Sequence, residues 1–183
     1  MKSVRRFFTV VASVAAVVLP VAPMAHAGTG ETAGVVRVRS SADDDYGRIV
    51  NRITDRCLAV QGANNVNGAP AFQYTCNVDY GDQVWSVEPV AGGYRVRNAD
   101  TGRCLAVQGT NNVNGAPAFQ YDCTDYADQV WEVWLIYVNG NYIGKELKNH
   151  LTQRCLAVQS TNNVDGAPAF QYDCVYDDRL WYF

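Results

Sequence analysis

The sequence predicts an all-β fold built from three copies of one unit, and three observations lead there. A 21-residue segment occurs three times almost unchanged, as Arg56–Cys76 (RCLAVQGANNVNGAPAFQYTC), Arg103–Cys123 and Arg154–Cys174; adjacent copies differ at two positions and start 47 and then 51 residues apart. Each copy holds short apolar or aromatic runs bounded by turn dipeptides. Beyond the first 27 residues, no stretch shows a convincing 3.6-residue apolar period.

Taken in order, residues 1–27 read as a secretory signal. Lys2, Arg5 and Arg6 precede an apolar run from Phe7 to Leu19, and Ala25-His26-Ala27 has the small-x-small pattern of a cleavage site. Pro20 and Pro23 end the run well short of the ~20 residues a membrane span needs. Arg5-Arg6-Phe7-Phe8 loosely resembles a twin-arginine signal and does not decide the export route. No cysteine stands at the cleavage point, so lipid attachment there is not expected. The remaining 156 residues carry 12 basic and 18 acidic side chains, a formal charge of about −6. That balance argues against phosphate-dominated nucleic-acid binding and against anionic membranes. His150 is the one histidine left, which excludes His-rich zinc sites. Residues 28–45, ending Asp43-Asp44-Asp45, read as a mobile acidic tail; the glycine and spacing of an EF-hand are missing.

Three units of about 46–90, 91–138 and 139–183 follow. In each, a strand precedes the first cysteine (Arg48-Ile49-Val50, Tyr94-Arg95-Val96, Lys145-Glu146-Leu147). Two more are Leu58-Ala59-Val60-Gln61 and Ala71-Phe72-Gln73-Tyr74 with their counterparts, and a fourth contains Trp85, Trp131 or Trp181. That makes twelve short strands. Asn67-Gly68, Asn114-Gly115 and Asp165-Gly166 supply the positive φ of tight turns, and Pro70, Pro117 and Pro168 fit strand starts or edges. The cysteines lie 19 residues apart within every unit: Cys57/Cys76, Cys104/Cys123 and Cys155/Cys174. Six cysteines allow 15 pairings, and the threefold repeat selects the three pairs within units. Metal-binding thiolates are disfavoured because no C-x-x-C pair exists, so neither metal nor cofactor is expected.

A Cys-Leu-x-Val opening, a Gly-Ala-Pro-x-Phe-Gln-Tyr-x-Cys middle and a Gln-x-Trp close, three times in register, resemble the ricin-B-type lectins and the carbohydrate-binding modules of bacterial glycosidases. The resemblance spans about residues 46–183. It implies a β-trefoil, in which six strands form a barrel and six form hairpins capping it. It also implies non-catalytic sugar binding, with up to one shallow site per unit. The family's aromatic two residues before the second cysteine falls on Tyr74, Tyr121 and Tyr172, and its polar pair before the tryptophan falls on Asp82-Gln83, Asp128-Gln129 and, with Arg179 replacing glutamine, Asp178. These are the candidate sugar contacts, with Tyr80, Tyr126 and Tyr176 as a second wall. A flat ring packs on the apolar face of a pyranose while carboxylates accept from its hydroxyls. The tryptophans have a purely structural role, filling the core.

Two departures recur in all units. The family's aspartate in Cys-Leu-Asp-Val is Ala59, Ala106 or Ala157, and the glutamine four residues before the second cysteine is Phe72, Phe119 or Phe170. Three readings follow: Asp82, Asp128 and Asp178 substitute for the lost carboxylate, the ligand differs, or binding is gone. The expected function is an extracellular, monomeric, carbohydrate-binding protein whose partner is a polysaccharide or glycan. The alternative is a trefoil scaffold or inhibitor that binds protein. A hydrolase is disfavoured, because a trefoil offers no deep cleft for two opposed carboxylates.

Overall fold

Alternation decides which strands close the barrel. In Val84–Val90 the side chains of Trp85 and Val87 turn inward while Ser86 and Glu88 turn out, and in Gly93–Asn98 Tyr94 and Val96 are the inward pair. The computed structural model describes residues 34–40, 45–62, 64–175 and 177–183. The chain divides after Gly30 into two units, and every described residue lies in the second. The expected signal sequence of residues 1–27 therefore lies outside the described residues.

In chain order the strands are β1 (Val35–Arg39), β2 (Asp45–Arg48), β3 (Val50–Asn51), β4 (Cys57–Val60), β5 (Ala71–Tyr74) and β6 (Val84–Val90). The second unit adds β7 (Gly93–Asn98), β8 (Cys104–Val107), β9 (Ala118–Tyr121) and β10 (Val130–Val138). The third adds β11 (Asn141–Asn149), β12 (Cys155–Val158), β13 (Ala167–Tyr172) and β14 (Leu180–Tyr182). A closed antiparallel ring runs β2–β6–β7–β10–β11–β14 and returns through β3, which continues from β2 past Ile49. Closure leaves this ring without an unpaired edge. Hairpins β4–β5, β8–β9 and β12–β13 share one register, with Ala59 opposite Phe72, Ala106 opposite Phe119 and Ala157 opposite Phe170. They join into a triangular cap: Pro70 bridges to Phe119, Pro117 to Phe170 and Pro168 to Phe72. The prolines thus sit at strand edges, where a missing N–H costs nothing.

The tryptophans fill the core as the sequence suggested. Trp85, Trp131 and Trp181 are fully buried, and each indole Nε1 donates to a main-chain oxygen, of Leu58 (2.9 Å), Leu105 (3.0 Å) and Leu156 (3.0 Å). Burial of such a ring removes roughly 150–250 Å² of surface from water, and the hydrogen bond satisfies its polar end. The three disulfides form within units, Cys57–Cys76, Cys104–Cys123 and Cys155–Cys174. Arg56, Arg103 and Arg154 clamp each unit to another's loop, their Nε donating to Asn163, Asn65 and Asn112 at 2.5, 2.5 and 2.7 Å.

Three expectations need correction. The described residues hold fourteen strands, not twelve, because Ile49 interrupts the first barrel strand and because β1 was not foreseen. Residues 28–45, read as a mobile tail, include β1, which pairs antiparallel with Trp134–Val138. Its valines suit a pleated surface and its arginines find partners: Arg37 Nε donates to Glu146 at 3.2 Å and Arg39 Nη2 to the Gly92 oxygen at 2.7 Å. Asp45 opens β2, and Asp43 and Asp44 lie outside the described residues. Lastly, the Asn-Gly and Asp-Gly pairs do not make two-residue hairpins. Ten residues separate β4 from β5, and in the turn at their far end only the glycines, Gly68, Gly115 and Gly166, have positive φ (84°, 86° and 82°). One left-handed residue at the third turn position is the requirement of a type II turn.

Candidate functional site

In each unit a single turn of 3-10 helix, Gly81–Gln83, Ala127–Gln129 or Asp177–Arg179, carries the candidate aspartate into position. What fixes that turn is a buried asparagine of the adjoining unit. Asn98 Nδ2 donates to the Asp82 main-chain oxygen at 2.8 Å, Asn149 to that of Asp128 at 2.8 Å, and Asn51 to that of Asp178 at 2.9 Å. The same asparagines accept through Oδ1 from the backbone two residues on: Asp100, Leu151 and Ile53, each at 3.1 Å. The sequence showed these asparagines as a recurrent position six residues before each first cysteine, but gave no sign that they tie one unit to the next.

Gln83 and Gln129, candidate sugar contacts from sequence, are buried beneath the turn. Gln83 accepts from the Asn77 N–H at 2.8 Å and donates to the Thr75 oxygen at 2.9 Å; Gln129 does the same with Thr124 and Asp122, both at 2.8 Å. Both ends of each amide are thus engaged with the backbone of the loop.

The aspartates lie above them, half-buried. Burial pushes the carboxyls of Asp82, Asp128 and Asp178 above the ordinary aspartate range. For Asp82 the nearby Asp100 charge pushes the same way, and backbone N–H donors such as Gly62 (3.4 Å to Oδ2) oppose it. Oδ1 of Asp82 and of Asp128 is buried and accepts no hydrogen bond from the described residues.

Each of these two carboxylates faces an aromatic groove. In the second unit Phe119, Tyr121, Tyr126, Asp128 and Leu151 enclose about 570 Å³; Tyr121 is 42% and Tyr126 72% exposed. In the first unit Ala59, Phe72, Tyr74, Tyr80 and Asp82 enclose about 350 Å³, with Gly166 of the third unit at the rim. Phe72 meets Tyr74 edge-on at 6.2 Å between ring centres, and Phe119 meets Tyr121 at 6.3 Å. The residues that replace the polar pair expected of the family, alanine and phenylalanine, thus face each other across the hairpin and make the groove floor apolar.

The third unit differs. Arg179 is buried, its Nη1 donates to Asp178 Oδ1 at 2.5 Å, and its guanidinium lies 4.6 Å from the centre of the Tyr172 ring. The arginine therefore occupies both candidate residues of that unit. Tyr176 lies outside the described residues.

The barrel of paired strands, the triangular cap and the threefold repeat settle the fold, and the family comparison agrees. Residues 35–121 match the family model described as ricin-type beta-trefoil lectin domain-like. The chain has a β-trefoil fold, and its residues 35–121 resemble a ricin-type lectin domain. Among solved structures, this trefoil superposes on a designed threefold-symmetric protein, ThreeFoil, with a TM-score of 0.65 and 26% identity over 74% of this chain and 95% of that one. It superposes on the hemolytic lectin CEL-III with a TM-score of 0.57 and 27% identity, over 75% of this chain and 29% of that one. A Polyporus squamosus lectin bound to the human-type influenza-binding epitope Neu5Aca2-6Galb1-4GlcNAc gives 0.64 and 19% identity, over 79% and 50%. The trefoil thus spans half or less of those two lectins. No curated protein matches it. Among the described residues no helix is long and apolar enough to cross a membrane.

Proposed function

We propose that the protein binds carbohydrate without breaking bonds, acts outside the cell after loss of residues 1–27, and uses the grooves of its first and second units. The observation that carries this reading is the pairing, in two units, of an exposed tyrosine wall with a half-buried aspartate whose buried Oδ1 has no hydrogen-bond partner among the described residues. Tyr74 or Tyr121 covers the apolar face of a pyranose, and Asp82 or Asp128 accepts from its hydroxyls. Asp82 and Asp128 take over from the aspartate that the family carries in the position of Ala59 and Ala106. Gln83 and Gln129 hold the loop rather than the sugar, and Tyr172 and Asp178 serve structure with Arg179. The lectin-like family model and the lectins among the structural neighbours support the assignment.

A glycan array followed by calorimetry on the mature chain tests it. We expect weak binding that Tyr121→Ala reduces at least fivefold; absence of binding to any polysaccharide or simple sugar overturns it.

A further inference from the structure

The first and second grooves share a scaffold but not a wall, and the difference sits at one position. The residue two places after the buried asparagine is Asp100 beside the first groove and Leu151 beside the second. Because one asparagine holds both this residue's N–H and the main-chain oxygen of the site aspartate, the two side chains keep a fixed relation. Asn98 sets Asp100 against Asp82, and Asn149 sets Leu151 against Asp128. Both lie over the same glycine of the loop after the first hairpin strand. A β-carbon built on Gly62 would stand 2.3 Å from Asp100 Oδ2 and 3.2 Å from Asp82 Cβ; one built on Gly109 would stand 2.5 Å from Leu151 Cδ2 and 3.5 Å from Asp128 Cβ.

The consequence is chemical. Around the unpartnered Asp128 oxygen the walls are Leu151, half exposed, with Phe119, Tyr121 and Tyr126. Beside Asp82, in a hollow that adjoins the first groove and shares Gln61, Tyr80 and Asp82 with it, the corresponding residue is a second carboxylate, Asp100, and Asp79 lines the same hollow. An apolar substituent gains by leaving water against leucine and rings, and gains nothing against charged carboxylates that keep their own hydration.

Resting on the carbohydrate reading above, we infer that the second groove selects a sugar bearing a methyl group, and that Leu151 is the residue that selects it, while the first groove is indifferent to that methyl. The methyl can come from an acetamido group or from a 6-deoxy carbon. Matched probes separate the two sources: N-acetylglucosamine against N-formylglucosamine, and L-fucose against L-galactose. Burying one methyl in an open groove corresponds to about a three- to tenfold preference.

The test is an amide chemical-shift titration of the mature chain with all four sugars, following residues 109–128 and 151 for the second groove and 61–82 and 100 for the first. We expect at least one methyl-bearing sugar to bind the second groove three- to tenfold more tightly than its partner, with less than twofold discrimination in the first. Leu151→Asp should abolish the preference and Asp100→Leu should create it in the first groove. Leu151→Ala, a milder change at a half-exposed position, should weaken it if the aspartate variant misfolds. Equal affinities within both pairs at the second groove, or a preference that survives Leu151→Ala and Leu151→Asp, overturns the inference and leaves sugar binding intact. If no sugar shifts either groove, the carbohydrate reading itself fails.

Discussion

At the scale of single residues, Asp128 shows what the sequence could and could not tell. Its recurrence before Gln-x-Trp marked it as a candidate, but its half-burial and free oxygen come from the turn that Asn149 and Gln129 hold, and neither is legible along the chain. Because burial raises its carboxyl above the ordinary range, Asp128 takes up a proton at a higher pH than an exposed aspartate does. The sign for stability follows: a carboxyl raised in the folded state favours folding as it is protonated, so Asp128 costs stability above its pKa. Ligand binding runs the other way, since the ionised form is the better acceptor. Affinity at the second groove should fall on acidification, beginning above the pH at which an ordinary aspartate titrates. Asp128→Asn should bind about tenfold more weakly at neutral pH and lose that pH dependence; calorimetry across a pH series measures both. Gln129 belongs to the same lesson. The recurrence that nominated it for sugar contact reflects its two bonds to the loop backbone. Gln129→Leu leaves the Thr124 N–H and the Asp122 oxygen unpartnered and should cost about 2–4 kcal/mol, read from urea unfolding.

At the scale of elements, the barrel and hairpin strands were legible because apolar alternation and the cysteine spacing repeat three times, whereas β1 was hidden by lying outside the repeat. Its place becomes clear from a break in symmetry nine residues before each first cysteine. Arg48 and Arg95 stand there in the first two units, and their Nη2 groups donate to the main-chain oxygens of Asn77 (2.9 Å) and Thr124 (2.8 Å), just past the second cysteine. The third unit has Glu146 instead, nearly buried. Arg37 of β1 pairs with it and donates from Nη2 to the Cys174 oxygen at 3.0 Å, so the N-terminal strand supplies the guanidinium that the third unit lacks. Arg37→Ala should therefore destabilise the fold by about 1–3 kcal/mol, less than a fully buried pair because Arg37 is one-third exposed. It should also speed amide exchange in residues 173–179, while the matching loops at 75–81 and 122–128 stay protected. Adding Glu146→Arg should restore protection; exchange as fast in the double variant as in the single one would show that β1 acts by pairing with β10 alone.

At the scale of the whole molecule, threefold symmetry is a property of the scaffold and is broken at the surface. The 21-residue copies share the hairpin strands, the disulfides and the arginines that clamp onto Asn65, Asn112 and Asn163, which is why the trefoil could be read from them. The differences lie mostly in the segments between copies, at Asp100 against Leu151, at Glu146 and at Arg179; of these only Arg179, within the Gln-x-Trp close, stood out when the units were compared along the chain. A rigid body with two open grooves, and a third unit in which Arg179 engages both Asp178 and Tyr172, should bind an extended ligand bivalently. Affinity for a polysaccharide should then exceed that for its monosaccharide by roughly 10²-fold or more, because the second contact forms at high effective concentration. Disabling either groove, by Tyr74→Ala or Tyr121→Ala, should remove most of that gain while leaving monosaccharide affinity at the other groove within twofold. Tyr172→Ala should leave both affinities nearly unchanged, since Arg179 already covers that ring. Sedimentation with insoluble polysaccharide, set beside single-sugar titrations of the three variants, measures the comparison, and a loss with Tyr172→Ala equal to that with Tyr121→Ala would mean that three grooves, not two, engage the chain.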